Sequence, residues 1–269
     1  MTSKRLAFKR NLRFLAGVLL ALAVIVQGDR QAAAQDAAGN AAGNATSLDP
    51  KQTEAIQELV REYLLQNPEV IVEALEIYQQ RQRLAEAERQ HAALLAAQES
   101  LKNDPASPVL GNPDGDITVV EFFDYRCPYC RQVAGALQEL VAEDPNIRLV
   151  MKEYPILSEE SVNAARAALA AVRQDGYERF HFALMERGGS MTQAEVTRVA
   201  RSVGLDVEQL LRDMRSPEIE AALRRNYALA ESIGVTGTPA MVIGTTLVPG
   251  AVDLNRLRAL VAEARAQAS

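Results

Sequence analysis

The only two cysteines of the 269-residue chain stand three apart, in Arg126-Cys127-Pro128-Tyr129-Cys130. A C-x-x-C pair can be a redox dithiol, half of a metal site or a small structural bridge. Zinc and iron–sulfur sites need about two further soft ligands. Neither His91 nor His181 is spaced from the pair as such a ligand would be. A haem attachment site needs His directly after the second cysteine, where this chain has Arg131. A structural bridge over so short a loop would constrain little of the unfolded chain. Thiol–disulfide exchange is therefore the leading reading beside the metal and structural ones, and no metal ligand set or cofactor is expected.

The flanking elements determine how the pair is presented. Val119 to Phe123 is β-branched and aromatic, which fits a short strand. From Arg131 onward, Val133, Ala136, Leu137, Leu140 and Val141 recur at helical spacing. The sulfurs thus sit where a strand feeds a helix, with Cys127 near the helix N-terminus. Unpaired backbone N–H groups and the helix dipole favour an anion there, and the thiolate is the reactive form of cysteine. Pro128 in the first turn costs little, because its missing N–H would have had no partner.

A second stretch, Thr236-Gly237-Thr238-Pro239-Ala240, precedes the apolar run Met241 to Ile243. Together, E-F-F-x-x-x-C-P-Y-C and T-G-T-P-A resemble the DsbA-like branch of the thioredoxin superfamily, and the N-terminal helices are similar to those of its exported ScsC-like and Com1-like members. The resemblance covers roughly 105–266. It implies an α/β, thioredoxin-like fold with an inserted all-helical domain, preceded by an N-terminal helical extension. It also implies roles. Cys127 is the exposed nucleophile and Cys130 the buried resolving thiol. Pro239 is cis and lies against the sulfurs, with Thr238 before it. Glu121, six residues before Cys127, lies beneath the site and shuttles protons. The residues themselves give Glu121 a desolvated position in an apolar strand, which should raise its pKa. A strand-end carboxylate paired with a cation such as Lys152 is the alternative.

In DsbA itself the dipeptide between the cysteines is Pro-His. Here it is Pro128-Tyr129, and a neutral tyrosine stabilises a thiolate less than a protonated histidine would, so a weaker oxidant is expected. The resemblance then favours an exported isomerase or reductase acting on protein disulfides and thiols, reset by a membrane redox partner. A monomeric DsbA-like dithiol oxidase is one alternative. A Cu(I)-binding copper-tolerance protein is another, since soft thiolates suit Cu(I) and ScsC-like proteins are associated with copper tolerance.

The remaining chain divides by composition. Lys4, Arg5, Lys9, Arg10 and Arg13 precede the apolar run Phe14 to Val26, and Ala32-Ala33-Ala34 offers a cleavage site. Residues 1–34 therefore read as a signal peptide, with an uncleaved anchor as the alternative. Export would place the dithiol in the periplasm, where disulfides persist. Residues 35–47 read as a disordered tether. In 48–78, Asp49-Pro50 and Asn67-Pro68-Glu69 each open a helix. Ile56, Leu59, Val60, Tyr63 and Leu64 form one apolar face, which Val70, Ile71, Ala74, Leu75, Ile77 and Tyr78 continue. That face is too small to form a core alone, and the expectation is a homo-oligomer, a trimer by resemblance. Residues 79–103 read as a helical connector, polar from Gln79 to Gln90.

The thioredoxin-like core is expected at 105–157 and 234–267, and the helical insertion at 158–233. Within the insertion, Ser158, Asp206 and Ser216 read as N-caps, Thr192-x-x-Glu195 as a capping box, and Gly234 as a helix stop. His181, between Phe180 and Phe182, reads as a helix residue rather than a catalyst. Ala240–Ile243 and Thr246–Val248 read as a hairpin turning at Gly244-Thr245. The net charge of −6 and the absence of a basic stripe give no nucleic-acid surface.

Overall fold

The computed structural model describes residues 49–268, so the signal-peptide and tether readings lie outside the described residues. The described chain divides into two compact units between Ile77 and Tyr78.

The first unit holds α1 (Pro50–Gln66) and the opening turns of α2 (Glu69–Ala96). Asp49 caps α1. Its carboxylate accepts from the Gln52 N–H at 2.8 Å, and the Gln52 side chain accepts from the Asp49 N–H at 3.0 Å. Two donors that a helix start leaves orphaned are thereby satisfied. At the other end, the backbone and side-chain N–H groups of Asn67 both donate to Tyr63 O, at 2.9 and 2.8 Å. Pro68 then disfavours helical backbone at residue 67. The apolar face is present but uncovered within the single chain. Ile56, Leu59, Val60, Tyr63, Leu75 and Ile77 are exposed, Leu59 by 66%, and only Leu64 and Val70 are half-buried.

The second unit is built on a five-stranded sheet. Its spatial order is β1 (Val109–Gly111), β3 (Ile147–Glu153), β2 (Ile117–Phe123), β4 (Ala240–Ile243), β5 (Thr246–Pro249). β2 and β3 run parallel, and the other pairings are antiparallel. β2 and β3 are buried almost throughout, as suits strands covered on both faces. The β4–β5 hairpin turns at Gly244 with φ +62°, a conformation that costs glycine least. The short edge strand β1 has no counterpart in the sequence reading, because it lies between prolines and glycines that mark loops.

Five α-helices lie between β3 and β4: α5 (Glu159–Ala171), α6 (Tyr177–Arg187), α7 (Gln193–Ser202), α8 (Val207–Asp213) and α9 (Pro217–Ser232). α4 (Pro128–Glu143) joins β2 to β3, and α10 (Leu254–Ala268) follows β5. Ser158, Asp206 and Ser216 each accept from the N–H three residues on, at 3.2, 3.0 and 3.4 Å. Thr192 likewise accepts from the Glu195 N–H, at 3.4 Å. The expected capping box is only half formed, because Arg187 and Arg198 donate to the Glu195 carboxylate at 2.9 and 2.6 Å. Charged donors outcompete a backbone amide for that acceptor.

The two sheet faces carry separate cores. On the first, Val119, Phe123, Leu149 and Met151 pack with α4, α10 and the insertion. Ala164, Ala165, Ala167 and Ala168 of α5 are fully buried there, and their small side chains let helices approach closely. On the second, Val120, Phe122 and Val150 meet Leu94 of α2, Leu101 of α3 (Gln98–Lys102) and Leu229 of α9. The segment read as a connector thus ends inside the core. Cations at the end of α3 hold it there. The buried Lys152 ammonium donates to Ser100 O at 2.8 Å and to Ser107 Oγ at 2.7 Å, with Asp104 at 4.0 Å. Arg148 donates to Lys102 O at 2.7 Å. Positive charge is favoured at a helix C-terminus, while burial pushes Lys152 down to about 8. Among the described residues, no helix is long and apolar enough to cross a membrane.

The packing of α3 has a measurable consequence. Leu101→Ala, at a fully buried site, should lower the free energy of unfolding by about 2–4 kcal/mol in urea titration. Leu84→Ala, on the exposed part of α2, should change it by less than about 0.5 kcal/mol. Equal small losses would remove α3 from the core.

Candidate active site

β2 ends at Phe123 and α4 begins at Pro128. The intervening loop places Cys127 at the N-cap of α4, where its side chain makes no capping bond. Asp124 organises this loop. Its backbone carbonyl accepts from the Cys127 N–H at 3.0 Å. Its carboxylate accepts from the N–H groups of Arg126, at 2.8 Å, and Leu157, at 2.9 Å. Arg126 reaches across to Ser158 Oγ at 2.8 Å. The cysteine loop is therefore tied to the segment that leaves β3.

Cys127 Sγ–H donates to the backbone carbonyl of Thr238 at 3.2 Å. The Thr238–Pro239 peptide bond is cis, and Pro239 O accepts from the Gly250 N–H at 2.9 Å. The Thr238 hydroxyl is buried with no partner among the described residues. Both cysteines are free thiols. Cys127 is 4% exposed and Cys130 fully buried, so the nucleophile expected at the surface lies under the Thr238–Pro239 loop instead. Tyr129 between them is 62% exposed. Burial pushes the Cys130 thiol far up, and the nearby Glu121 carboxyl adds to the effect.

Glu121 is fully buried on the first sheet face, and neither carboxyl oxygen has a hydrogen-bond partner among the described residues. Burial pushes it up to about 8. The alternative pairing with Lys152 does not occur. Side chains alternate across a strand, and Lys152 points to the opposite face, where Ser100 and Ser107 hold it.

A cluster absent from the sequence reading adjoins these residues. Glu153 Oε1 accepts from the hydroxyls of Tyr125 and Tyr177, each at 3.0 Å. The Tyr125 hydroxyl is also 3.0 Å from His181 Nδ1. His181 is fully buried, in edge contact with Phe123 and stacked on Tyr177; burial pushes it down to about 3. Asn226 of α9 donates to Glu153 O at 3.0 Å. One signal was available beforehand: Glu153 ends an apolar strand much as Glu121 interrupts one. No sequence pattern links either to Tyr177 or His181. Two thiols backed by a protonatable carboxyl form an arrangement suited to thiol–disulfide exchange. Among the described residues, no group of three or more His, Cys, Asp or Glu could hold a metal ion.

Comparison with known proteins agrees with this architecture. Residues 118–262 match the DSBA-like thioredoxin domain, and residues 52–85 match the N-terminal domain of the copper resistance protein ScsC. The chain is similar to a thioredoxin-like oxidoreductase from Silicibacter pomeroyi DSS-3, at 55% identity and TM-score 0.61 over 62% of this chain and 96% of that one. It is similar to a linker-deletion variant of ScsC from Proteus mirabilis, at 29% identity and TM-score 0.62 over 83% of this chain and 100% of that one. It also matches part of Na(+)/H(+) antiporter NhaA 3 from Salinispora tropica, at 29% identity over 69% of this chain. The chain spans only 24–30% of the length of the first such curated relatives. The chain belongs to the DSBA-like thioredoxin family of thiol–disulfide oxidoreductases, and it carries an ScsC-type N-terminal segment.

Proposed function

We propose that the chain is an exported, periplasmic protein-disulfide isomerase or reductase that works through the Cys127–Cys130 dithiol. The observation that carries this reading is the Cys127 thiol at a helix N-cap, against Thr238 O, with buried Cys130 and the unpartnered Glu121 carboxyl behind it. The Cys127 thiolate attacks one sulfur of a protein disulfide, forming a mixed disulfide and releasing the other substrate sulfur as a thiolate. The ionised fraction of Glu121 takes the proton from Cys130, whose thiolate attacks Cys127 Sγ and expels the second substrate thiolate. Re-attack by a different substrate thiolate, before Cys130 acts, gives isomerisation. Thr238 and Pro239 align the substrate chain beside the sulfur. A membrane redox partner resets the dithiol.

Isomerase or reductase work is favoured over bulk oxidation by two features. Tyr129 supplies no positive charge to stabilise a thiolate. The uncovered apolar face of residues 56–78 supports self-association, because contiguous exposed apolar surface marks an interaction site, with a trimer preferred by resemblance to ScsC-like proteins. Several dithiols on one particle raise the effective concentration at which a released substrate meets another Cys127. A second reading, Cu(I) binding by the two thiolates, is supported by the match to a copper resistance protein's N-terminal domain. Inhibition of insulin reduction by stoichiometric Cu(I), with tight binding, would favour it.

Three outcomes test these assignments. Cys130→Ala should accumulate mixed disulfides on Cys127, whereas Cys127→Ala should trap none; equal trapping by both would reverse the roles. Deleting residues 36–77 should give a monomer by light scattering that still reduces insulin but loses rescue of scrambled ribonuclease. A full-length monomer would refute the oligomer. Glu121→Gln should slow exchange and change the pH dependence of stability. The raised folded pKa means the native state holds its proton while the unfolded chain loses it, so native stability should fall as pH rises from about 4.5 to 8. The Gln variant should lack that fall, gaining on the order of 3–5 kcal/mol relative to native by pH 8. Parallel stability curves would show that Glu121 is not buried in neutral form.

A further inference from the structure

Glu153 is a buried carboxyl group, its pKa pushed up by burial, that the dithiol chemistry above leaves without a role. It stands two residues beyond Met151, the cross-strand partner of Glu121. Residues two apart share a sheet face, so both carboxyls enter the first core. Two residues of rise and one strand spacing put their Cα atoms about 8 Å apart. Lys152, between Met151 and Glu153, points to the other face. The titratable groups around the two carboxyls are Asp124, Tyr125 and Cys127 of the loop, Cys130 of α4, and Tyr177 and His181 of α6. Asn226 of α9 and Met241 of β4 bring no charge to them. Glu153 is held only by the two tyrosine hydroxyls on Oε1, and its Oε2 has no partner among the described residues.

Glu121 and Glu153 raise each other's cost of ionisation, since carboxylates on one face of neighbouring strands in a dry core repel, and their protons then belong to the pair rather than to either residue. We propose that Glu121 and Glu153 form one buried carboxyl pair that carries a single proton through neutral pH, with Glu153 as a positioning residue acting on the dithiol through Glu121. The inference rests on the reading of Glu121 as the proton acceptor for Cys130. With one proton on the pair, one carboxylate stays free to take the proton from Cys130 Sγ. The products are the Cys130 thiolate and a doubly protonated, neutral pair, and no other bond changes.

Tyr125 holds Glu153 in place. Its single hydroxyl proton lies between Glu153 Oε1 and His181 Nδ1, both at 3.0 Å. It donates to Glu153 when that carboxyl is ionised, and His181 then donates from Nδ1. It turns to Nδ1 when Glu153 is protonated. His181 serves in either tautomer and stays neutral, as its deep burial requires.

The test is a carbon-13 NMR titration of glutamate carboxyls in the oxidised protein, where neither sulfur carries a proton. The native protein should show two buried steps. Glu153→Gln and Glu121→Gln should each leave one step, about one pH unit below the native upper step. Tyr125→Phe keeps both carboxyls and removes a donor to the charged form, so it should move the upper step higher; circular dichroism confirms the fold. A single step that coincides with the native upper step in either Gln variant overturns the pair. So does an upper step unmoved by Tyr125→Phe. In the reduced protein, the pH–rate profile of exchange separates this inference from the role given to Glu121. Shifted carboxyl steps with an unshifted rate profile would keep the pair and remove Glu121 as the proton acceptor.

Discussion

Burial raises the pKa of a carboxyl group in the middle of a strand by keeping water from its charged form. At Glu121 this is achieved by covering the sheet from outside the thioredoxin-like core. α4 and α10 close part of the first face, and the insertion between β3 and β4 closes the rest. The same cover buries Cys130, Glu153 and His181. A bare sheet face would leave these groups wet and their pKa values ordinary. The insertion therefore changes the chemistry of the sulfur pair while its helices contribute only Tyr177, His181 and Asn226 to the polar cluster around Glu153.

The dithiol loop is held from several directions, and each hold is a short polar contact. Asp124 closes the turn onto Cys127 and clasps the Leu157 N–H. Arg126 grips Ser158, the cap of α5. Thr238 O meets Cys127 Sγ from the far side of the sheet sequence. Sulfur position is thus set jointly by the β2–α4 turn, the start of the insertion and the β4 approach. A shift in any one would be felt at Cys127, which is a reason to expect substrate contacts near Ser158 or Thr238 to influence its reactivity.

The second sheet face follows a different logic. Leu94, Leu101 and Leu229 supply the apolar cover, but α3 is a five-residue helix with little propensity of its own. Lys152 and Arg148 bind its final carbonyls, so a buried cation and a helix end satisfy each other. That arrangement explains how an ammonium can remain inside a sheet with its one carboxylate partner, Asp104, as far as 4.0 Å away.

Much of this protein was legible in its sequence because the relevant signals are local. β2, the α4 start at Pro128, the caps at Asp49, Ser158, Asp206 and Ser216, and the stop at Gly234 depend on residues within one turn of each other. The C-x-x-C spacing and the buried setting of Glu121 are local in the same sense. What the sequence left open depends on which face of the sheet each side chain meets. Lys152 looked like a partner for Glu121, yet strand alternation turns it to the opposite core. Leu94 and Leu101 belong to the segment read as a connector and became core residues through contacts with strands beyond them in the chain. Glu153, Tyr125, Tyr177 and His181 lie up to 56 positions apart in the chain and meet only because α6 folds back on β2 and β3. Periodicity reports the side of an element that is apolar, while the partner of a buried polar group is chosen by long-range packing, and only the tertiary structure decides it.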